Sequence, residues 1–263
     1  MIDQMTIPKT SLDEFTVYSK KDLNKFCELN DNMIIEKHQV EDLEYLTIKN
    51  ILKYPDELRK FCTKFPCEDR MRSIKDVNTT DIASKAPGWQ QPIDAKLLGT
   101  LSKNLHNIML DQRFCKYNYN IDLWEFYTNC CYPGMESYKK NYLPHVDTFT
   151  YAFNIFLSEP KDTGTTFFKY KTPNGKIYYE SKHLLKNQED SIKFSEMIKE
   201  RSTEEAKFEK WVAYDGDEHF IKYNFVPAQY NCATIYKGQY WHSIYYHARE
   251  DDDVRYSIVG VLK

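Results

Sequence analysis

The sequence lacks an excess of positive charge: 36 Lys and Arg stand against 39 Asp and Glu, a formal net charge of −3 over 263 residues. That excludes a global basic field for gripping phosphate backbones, although it leaves room for a local patch. No apolar run approaches the roughly 18 residues that cross a bilayer as a helix. The opening stretch, MIDQMTIPKTSLDEF, has neither the basic nor the apolar region of a secretory signal. Seven cysteines cannot all pair, and they lack the CxxC…CxxC spacing of a zinc site. Adjacent Cys130 and Cys131 would point to opposite faces of a strand, and a vicinal redox pair there stays open. The expectation from this set is a cytoplasmic protein with reduced thiols and no membrane partner.

Aromatic residues are scarce only at first. Residues 1–116 hold nine of the 40, and residues 117–263 hold the other 31. Aromatic enrichment is the composition of pleated sheet. The fold class expected is therefore mainly β, α+β overall, with an α/β extension over 1–116 and a β core over 117–263, packed as one structural domain. A hydrophobic fraction of 41% with 29% charged residues is that of a globular chain.

Along the first part, residues 1–30 read as a polar lead-in with one weak helix, and Glu44–Leu52 alternates as a strand. Pro55 opens a helix, with Asp56 and Glu57 in the first turn, where the helix dipole favours anions. A longer helix is predicted from Ile93 to Met109. Leu97, Leu98, Leu101, Leu105, Ile108 and Met109 give it one apolar face, read as packing against a sheet. From Leu123 onward short runs rich in Tyr, Phe, Ile and Val (LWEFYTNCCY, TFTYAFNIFLS, TTFFKY, HFIKYNFV, CATIY, HSIYYH, RYSIVGVL) are separated by Gly, Pro, Asn and Asp. That is the pattern of a sandwich or barrel. The stretch 181–211 interrupts it, with 14 charged residues in 31. Phe194, Met197, Ile198, Phe208 and Trp211 recur there at helical intervals, which predicts a helical insert serving either as surface decoration or as a lid.

His145-Val146-Asp147 opens the strand-rich part. In an extended chain residues i and i+2 face the same way, so an imidazole and a carboxylate converge. The tripeptide alone is weak, because chance often supplies one. Order strengthens it: His242 lies 95 residues after Asp147, and Arg255 follows 13 residues later. Arg255 and Ser257 share one face of the last strand. Two histidines and one carboxylate are the donor set of a facial triad for non-haem Fe(II) and O2 chemistry. A guanidinium with a neighbouring hydroxyl matches the far carboxylate of a bidentate 2-oxo acid such as 2-oxoglutarate. His247 competes with His242 as the distal ligand, and Arg255 could instead pair with Asp251, Asp252 or Asp253. His38, His106, His183 and His219 have no comparable context.

These motifs resemble those of the Fe(II)/2-oxoglutarate-dependent oxygenases, in particular the prolyl hydroxylase branch. Cys131-Tyr132-Pro133-Gly134 with Tyr142-Leu143-Pro144-His145-Val146-Asp147 is similar to that branch's CYPG…HVD segment. Phe153–Leu157 resembles the next strand, and Gly164-Thr165-Thr166-Phe167-Phe168 resembles its glycine-rich stretch. Tyr240-Trp241-His242-Ser243 falls on the distal ligand, and Arg255-Tyr256-Ser257-Ile258 falls on the co-substrate strand. The likeness covers a little over half the chain. It implies a double-stranded β-helix (jelly-roll or cupin-like) core, with the N-terminal helices on its major sheet. It also implies iron at His145, Asp147 and His242, with 2-oxoglutarate held by Arg255, Ser257 and Tyr132.

The activity implied is hydroxylation of a C–H bond in a peptide or protein side chain or an amino acid, yielding succinate and carbon dioxide. The sequence departs from the branch at Phe156, where some members have tyrosine, at Gly164-Thr165 in place of a double glycine, and in a long gap between Asp147 and His242. Asp147 itself is retained, which implies oxidation rather than halogenation. Two rival readings stand beside this one. One is a non-catalytic cupin-like module that holds a metal or a small ligand. The other is a nucleobase-oxidising relative, which the net charge and the absence of basic clusters near the motifs disfavour.

Overall fold

The computed structural model describes residues 20–63, 68–69, 89–131, 144–158, 163–201, 216–246 and 255–263. In chain order, α1 (Lys20–Phe26) leads into β1 (Ile34–Val40), β2 (Leu43–Lys49) and α2 (Pro55–Cys62). Then come β3 (Glu68–Asp69), β4 (Trp89–Ile93), α3 (Gly99–Asp111), β5 (Trp124–Cys131), β6 (Tyr151–Phe156), β7 (Thr163–Lys171) and β8 (Ile177–Tyr178). Helices α4 (Ser181–Leu185) and α5 (Gln188–Arg201) precede β9 (Phe220–Pro227), β10 (Cys232–Lys237), β11 (Trp241–Tyr246) and β12 (Arg255–Leu262).

The protein is mostly β, and every named strand pairing is antiparallel. One sheet of eight strands runs β1-β2-β10-β6-β12-β5-β4-β3. In the second sheet, of four strands, β7 pairs with β9 and also with β11 and β8. All seven strand runs read from the sequence between Leu123 and the C-terminus are strands here. Strands β1, β2 and β4, from the aromatic-poor first part, lie in the same sheet as β5, β6, β10 and β12.

Period-2 alternation divides the side chains of the large sheet between two environments. Tyr151, Phe153 and Ile155 of β6, Ala233 and Ile235 of β10, and Ile258 and Leu262 of β12 face the helices in the largest apolar cluster. Leu23 and Phe26 of α1, Leu58 and Phe61 of α2, and Leu97, Leu98, Leu101, Leu105, Ile108 and Met109 cover them. The alternate residues face the second sheet, where Tyr45, Ala152, Tyr236 and Val261 meet Phe167 of β7 and Val226 of β9. Gly260 belongs to the helix-side face, where a Cβ would come within 2.0 Å of the Phe153 ring, so only glycine lets that ring pack flat on β12.

The predicted helix over Ile93–Met109 is shorter than its apolar stripe. Ile93 ends β4, paired with Phe126 of β5. The Asp94 carboxylate accepts from the Lys96 N–H to cap a 3-10 turn over Ala95–Leu98, and the α-helix begins only at Gly99. The helical insert is present as α4 and α5 between β8 and β9; Phe208 and Trp211 lie outside the described residues. Cys27, Cys62, Cys115 and Cys232 are buried free thiols, and burial pushes Cys27 up to about 12, so it is inert at neutral pH. The side chains of Cys130 and Cys131 lie outside the described residues. Among the described residues no helix is long and apolar enough to cross a membrane.

Leu105 is fully buried in the helix–sheet core. Leu105→Ala is expected to cost about 2–5 kcal/mol of stability, the usual penalty for a buried leucine that leaves a cavity. Urea unfolding measures it, and a loss below about 1 kcal/mol would show that α3 is not packed tightly on the sheet.

Candidate metal centre

Two segments far apart in sequence meet where the chain enters β6 and where β11 begins. His145 and His242 form an isolated antiparallel bridge. The His145 N–H donates to the His242 carbonyl at 2.9 Å, and the His242 N–H returns a bond to the His145 carbonyl at 2.8 Å. Two residues on, the Asp147 N–H donates to the Gly238 carbonyl at 2.8 Å. The segment His145–Asp147 is thereby stitched to both the turn between β10 and β11 and the start of β11. Their imidazole rings lie 4.5 Å apart between centroids. One ligating atom from each of His145, Asp147 and His242 lies within 4.8 Å of the others.

His242 is almost wholly buried, and its tautomer follows from its neighbour. Nδ1 lies 2.9 Å from the Tyr240 carbonyl oxygen, which can only accept, so Nδ1 carries the hydrogen. Nε2 faces Asp147 Oδ2 at 3.4 Å. A contact at that distance takes a proton on Nε2 or, in its place, a cation between the two atoms. Desolvation would raise the Asp147 carboxyl, but the charges of His242 and His145 and the hydrogen bond from His242 outweigh it and hold it below the usual carboxylate range. The donor set, two imidazole nitrogens and one carboxylate oxygen, is the one that divalent iron accepts while keeping positions open. The residues present fit such an ion.

A cavity of about 160 Å3 is lined by all three of these residues and by Arg255. Arg255 starts β12 and is 2% exposed. Its Nη1 donates to Thr163 Oγ1 at 2.9 Å, and the guanidinium stacks 4.9 Å from the centre of the Phe156 ring. The phenylalanine at 156 thus supplies a flat apolar platform for the cation. Along β7, His242 is level with Phe167, and Arg255 reaches Thr163, four residues away. At about 3.3 Å per residue those levels are roughly 13 Å apart along the strand. Thr165 and Ile244, paired across β7 and β11, line the wall between them. Ser257 is two residues from Arg255, buried, with no hydrogen-bond partner for its Oγ among the described residues, and it does not line the cavity. Tyr132, Tyr142, His247 and Asp251–Asp253 lie outside the described residues.

The sequence motifs pass over Tyr236 and Asn154. The two are hydrogen-bonded and both line the cavity. Complete burial drives the Tyr236 phenol upward, and the Asp147 charge adds to that, so the hydroxyl stays protonated and can donate. Its ring also sits edge-on to His242, 4.9 Å between centroids. The alternation of YAFNIF and CATIYK places Asn154 and Tyr236 on one sheet face, a signal that periodicity carried but that no motif marked. Gly238, in the turn after β10, is a third residue that the motifs do not mark. A Cβ there would meet the Phe149 carbonyl oxygen at 2.5 Å and the Asp147 Cβ at 3.0 Å.

Residues 32–255 match the family described as "Family of unknown function (DUF6445)", and the chain belongs to that family. No curated protein matches it. Among solved structures it is similar to a Pseudomonas putida prolyl-4-hydroxylase (10% identity, TM-score 0.37, 93% of this chain and 97% of that one). It is also similar to IDO from Bacillus thuringiensis (10% identity, TM-score 0.33, 83% of this chain and 91% of that one). Both likenesses are weak.

Gly238→Ala tests the seat of the carboxylate. The added methyl group collides with the Phe149 carbonyl oxygen and crowds the Asp147 Cβ, so the loop that seats the carboxylate has to shift. Cobalt(II) titration followed by its visible absorption should show affinity at least about tenfold weaker than wild type, the scale on which outer partners of metal ligands act. Unchanged affinity would show that Asp147 is not a ligand in this position.

Proposed function

We propose that this member of the family is an Fe(II)- and 2-oxoglutarate-dependent dioxygenase with a double-stranded β-helix core. On this reading it hydroxylates a C–H bond of a peptide or protein side chain or an amino acid. The observation that carries the reading is that the two-histidine, one-carboxylate cluster and a buried arginine line one cavity. A metal-holding barrel alone has no use for a guanidinium there, and burying such a charge costs several kcal/mol unless an anion or good hydrogen bonds compensate it. When bound, iron with 2-oxoglutarate and dioxygen supplies the oxidation of the substrate, with succinate and carbon dioxide as co-products.

The chain's own residues divide the work. His145, Asp147 and His242 hold the ion, and Tyr240 keeps His242 Nε2 available through the bond from Nδ1. Arg255 offers the fork that a distal carboxylate takes, with Thr163 and Phe156 keeping it in place. Tyr236 presents a protonated hydroxyl on the same cavity, aligned by Asn154, to orient a bound anion. Tyr132 is assigned to the co-substrate on its place in the motifs; Ser257 shares the strand face of Arg255 but does not line the cavity. Val259, Val261 and Ala152 give the cavity a dry wall.

The test uses anaerobic protein with Fe(II) and 2-oxoglutarate. A visible charge-transfer band should appear in the wild type, and admission of oxygen should release succinate. Asp147→Ala should lose iron. Arg255→Ala should keep iron but weaken 2-oxoglutarate at least about 30-fold, equivalent to about 2 kcal/mol, with Arg255→Lys falling between. No band and no succinate in the wild type, or iron bound equally well without Asp147, sinks the reading. A +16 Da shift found by mass spectrometry among offered peptides and amino acids would identify the substrate class.

A further inference from the structure

The insert lies on the far side of the small sheet from the cavity. On β11 Trp241 and His242 alternate, so His242 faces the cavity while Trp241 joins an outer cluster with Phe168, Tyr170 and Phe220. Val146, between the ligating His145 and Asp147, packs against that same cluster. Helix α5 closes it with Phe194, Met197 and Ile198. The Phe194 ring lies 5.1 Å from Trp241 and 5.0 Å, edge-on, from Tyr170. The side chains next to all three ligands therefore rest, directly or through the cluster, on one helix.

A second route is made of main chain. Glu180 bridges Tyr240, and the Ser181 N–H donates to the Gln239 carbonyl at 3.0 Å, so the entry to the insert is hydrogen-bonded to the turn between β10 and β11. That turn supplies the Gly238 carbonyl that receives the Asp147 N–H and the Tyr240 carbonyl that receives His242 Nδ1. The N-terminal turn of α5 is itself tied down, because the buried Asp190 carboxylate accepts from the Tyr178 hydroxyl and pairs with Lys176 at 3.2 Å.

We propose that α5 is a buttress of the metal centre, with Phe194 and Met197 as positioning residues that hold the three ligands through Trp241 and Val146. The proposal rests on the metal reading of His145, Asp147 and His242 and deepens it. The insert of this chain then sets ligand geometry from behind, in place of closing over the cavity.

Cobalt(II) added to the full-length protein is the probe. Both its affinity and the shape of its visible absorption are read, alongside thermal unfolding of the metal-free protein. Phe194→Ala should weaken cobalt binding about tenfold or more and alter the absorption envelope, as loss of an outer support does. Phe194→Leu should recover most of both. Leu105→Ala, in the core on the other face of the large sheet, should lose stability but bind cobalt as wild type does. Ile192→Ala, on the exposed side of α5, should change neither. If Phe194→Ala does not fold, Met197→Ala must still bind cobalt more weakly than Leu105→Ala does. Phe194→Ala and Met197→Ala that bind like wild type, or no worse than Leu105→Ala at equal loss of stability, overturn the buttress alone. A wild type that takes up no cobalt overturns the metal reading and the buttress together.

Discussion

The reciprocal main-chain pairing of His145 with His242 is the contact on which the rest of the site depends. Two hydrogen bonds between segments remote in sequence set the spacing of the imidazoles before any side chain is considered. Closing so long a loop is entropically unfavourable by itself. It is offset because both sheets are already built around it: β6 follows the His145 segment within the large sheet, and β11 carries His242 within the small one. Asp147 is then placed by a third main-chain bond, to Gly238, at a point where a larger residue has no room.

The second constraint is the alternation of each strand between two environments. Strands β6, β10 and β12 turn one set of side chains into the helix-covered core and the other into the space between the sheets. Polar residues survive in that inner space because they pair or line the cavity: Asn154 with Tyr236, and Arg255 with Thr163 and the Phe156 ring. A register slip of one residue would exchange the two sets and bury Arg255 against the helices. Gly260, pinned under Phe153, stands against such a slip.

The insert combines a solvent-facing side with a side packed on the small sheet. Its composition is that of a solvated helix, and Ile192 and Leu185 do face solvent. Its other face nevertheless covers Trp241, the immediate neighbour of His242. Trp241 and His242 are adjacent on β11 and face opposite sides of the small sheet, so the outer cluster and the cavity share one stretch of backbone.

Much of this protein was legible in its sequence. The aromatic and β-branched runs marked every strand from β5 to β12 except the two-residue β8, since period and composition are local properties. Pro55 with Asp56 and Glu57 marked the start of α2, because helix ends are governed by adjacent residues. The candidates His145, Asp147, His242 and Arg255 were named from motif and order alone. What only the tertiary structure decided was convergence: the pairing of His145 with His242, the tautomer imposed by the Tyr240 carbonyl, and the shared cavity with Arg255. Tyr236, Asn154 and Gly238 entered the site by the same route, and so did the contact of α5 with Trp241. The physical reason is that a strand's sequence states which residues share a face. Which strands adjoin, and what lies across the gap between sheets, is determined by hydrogen bonds and packing between parts of the chain that carry no local record of one another.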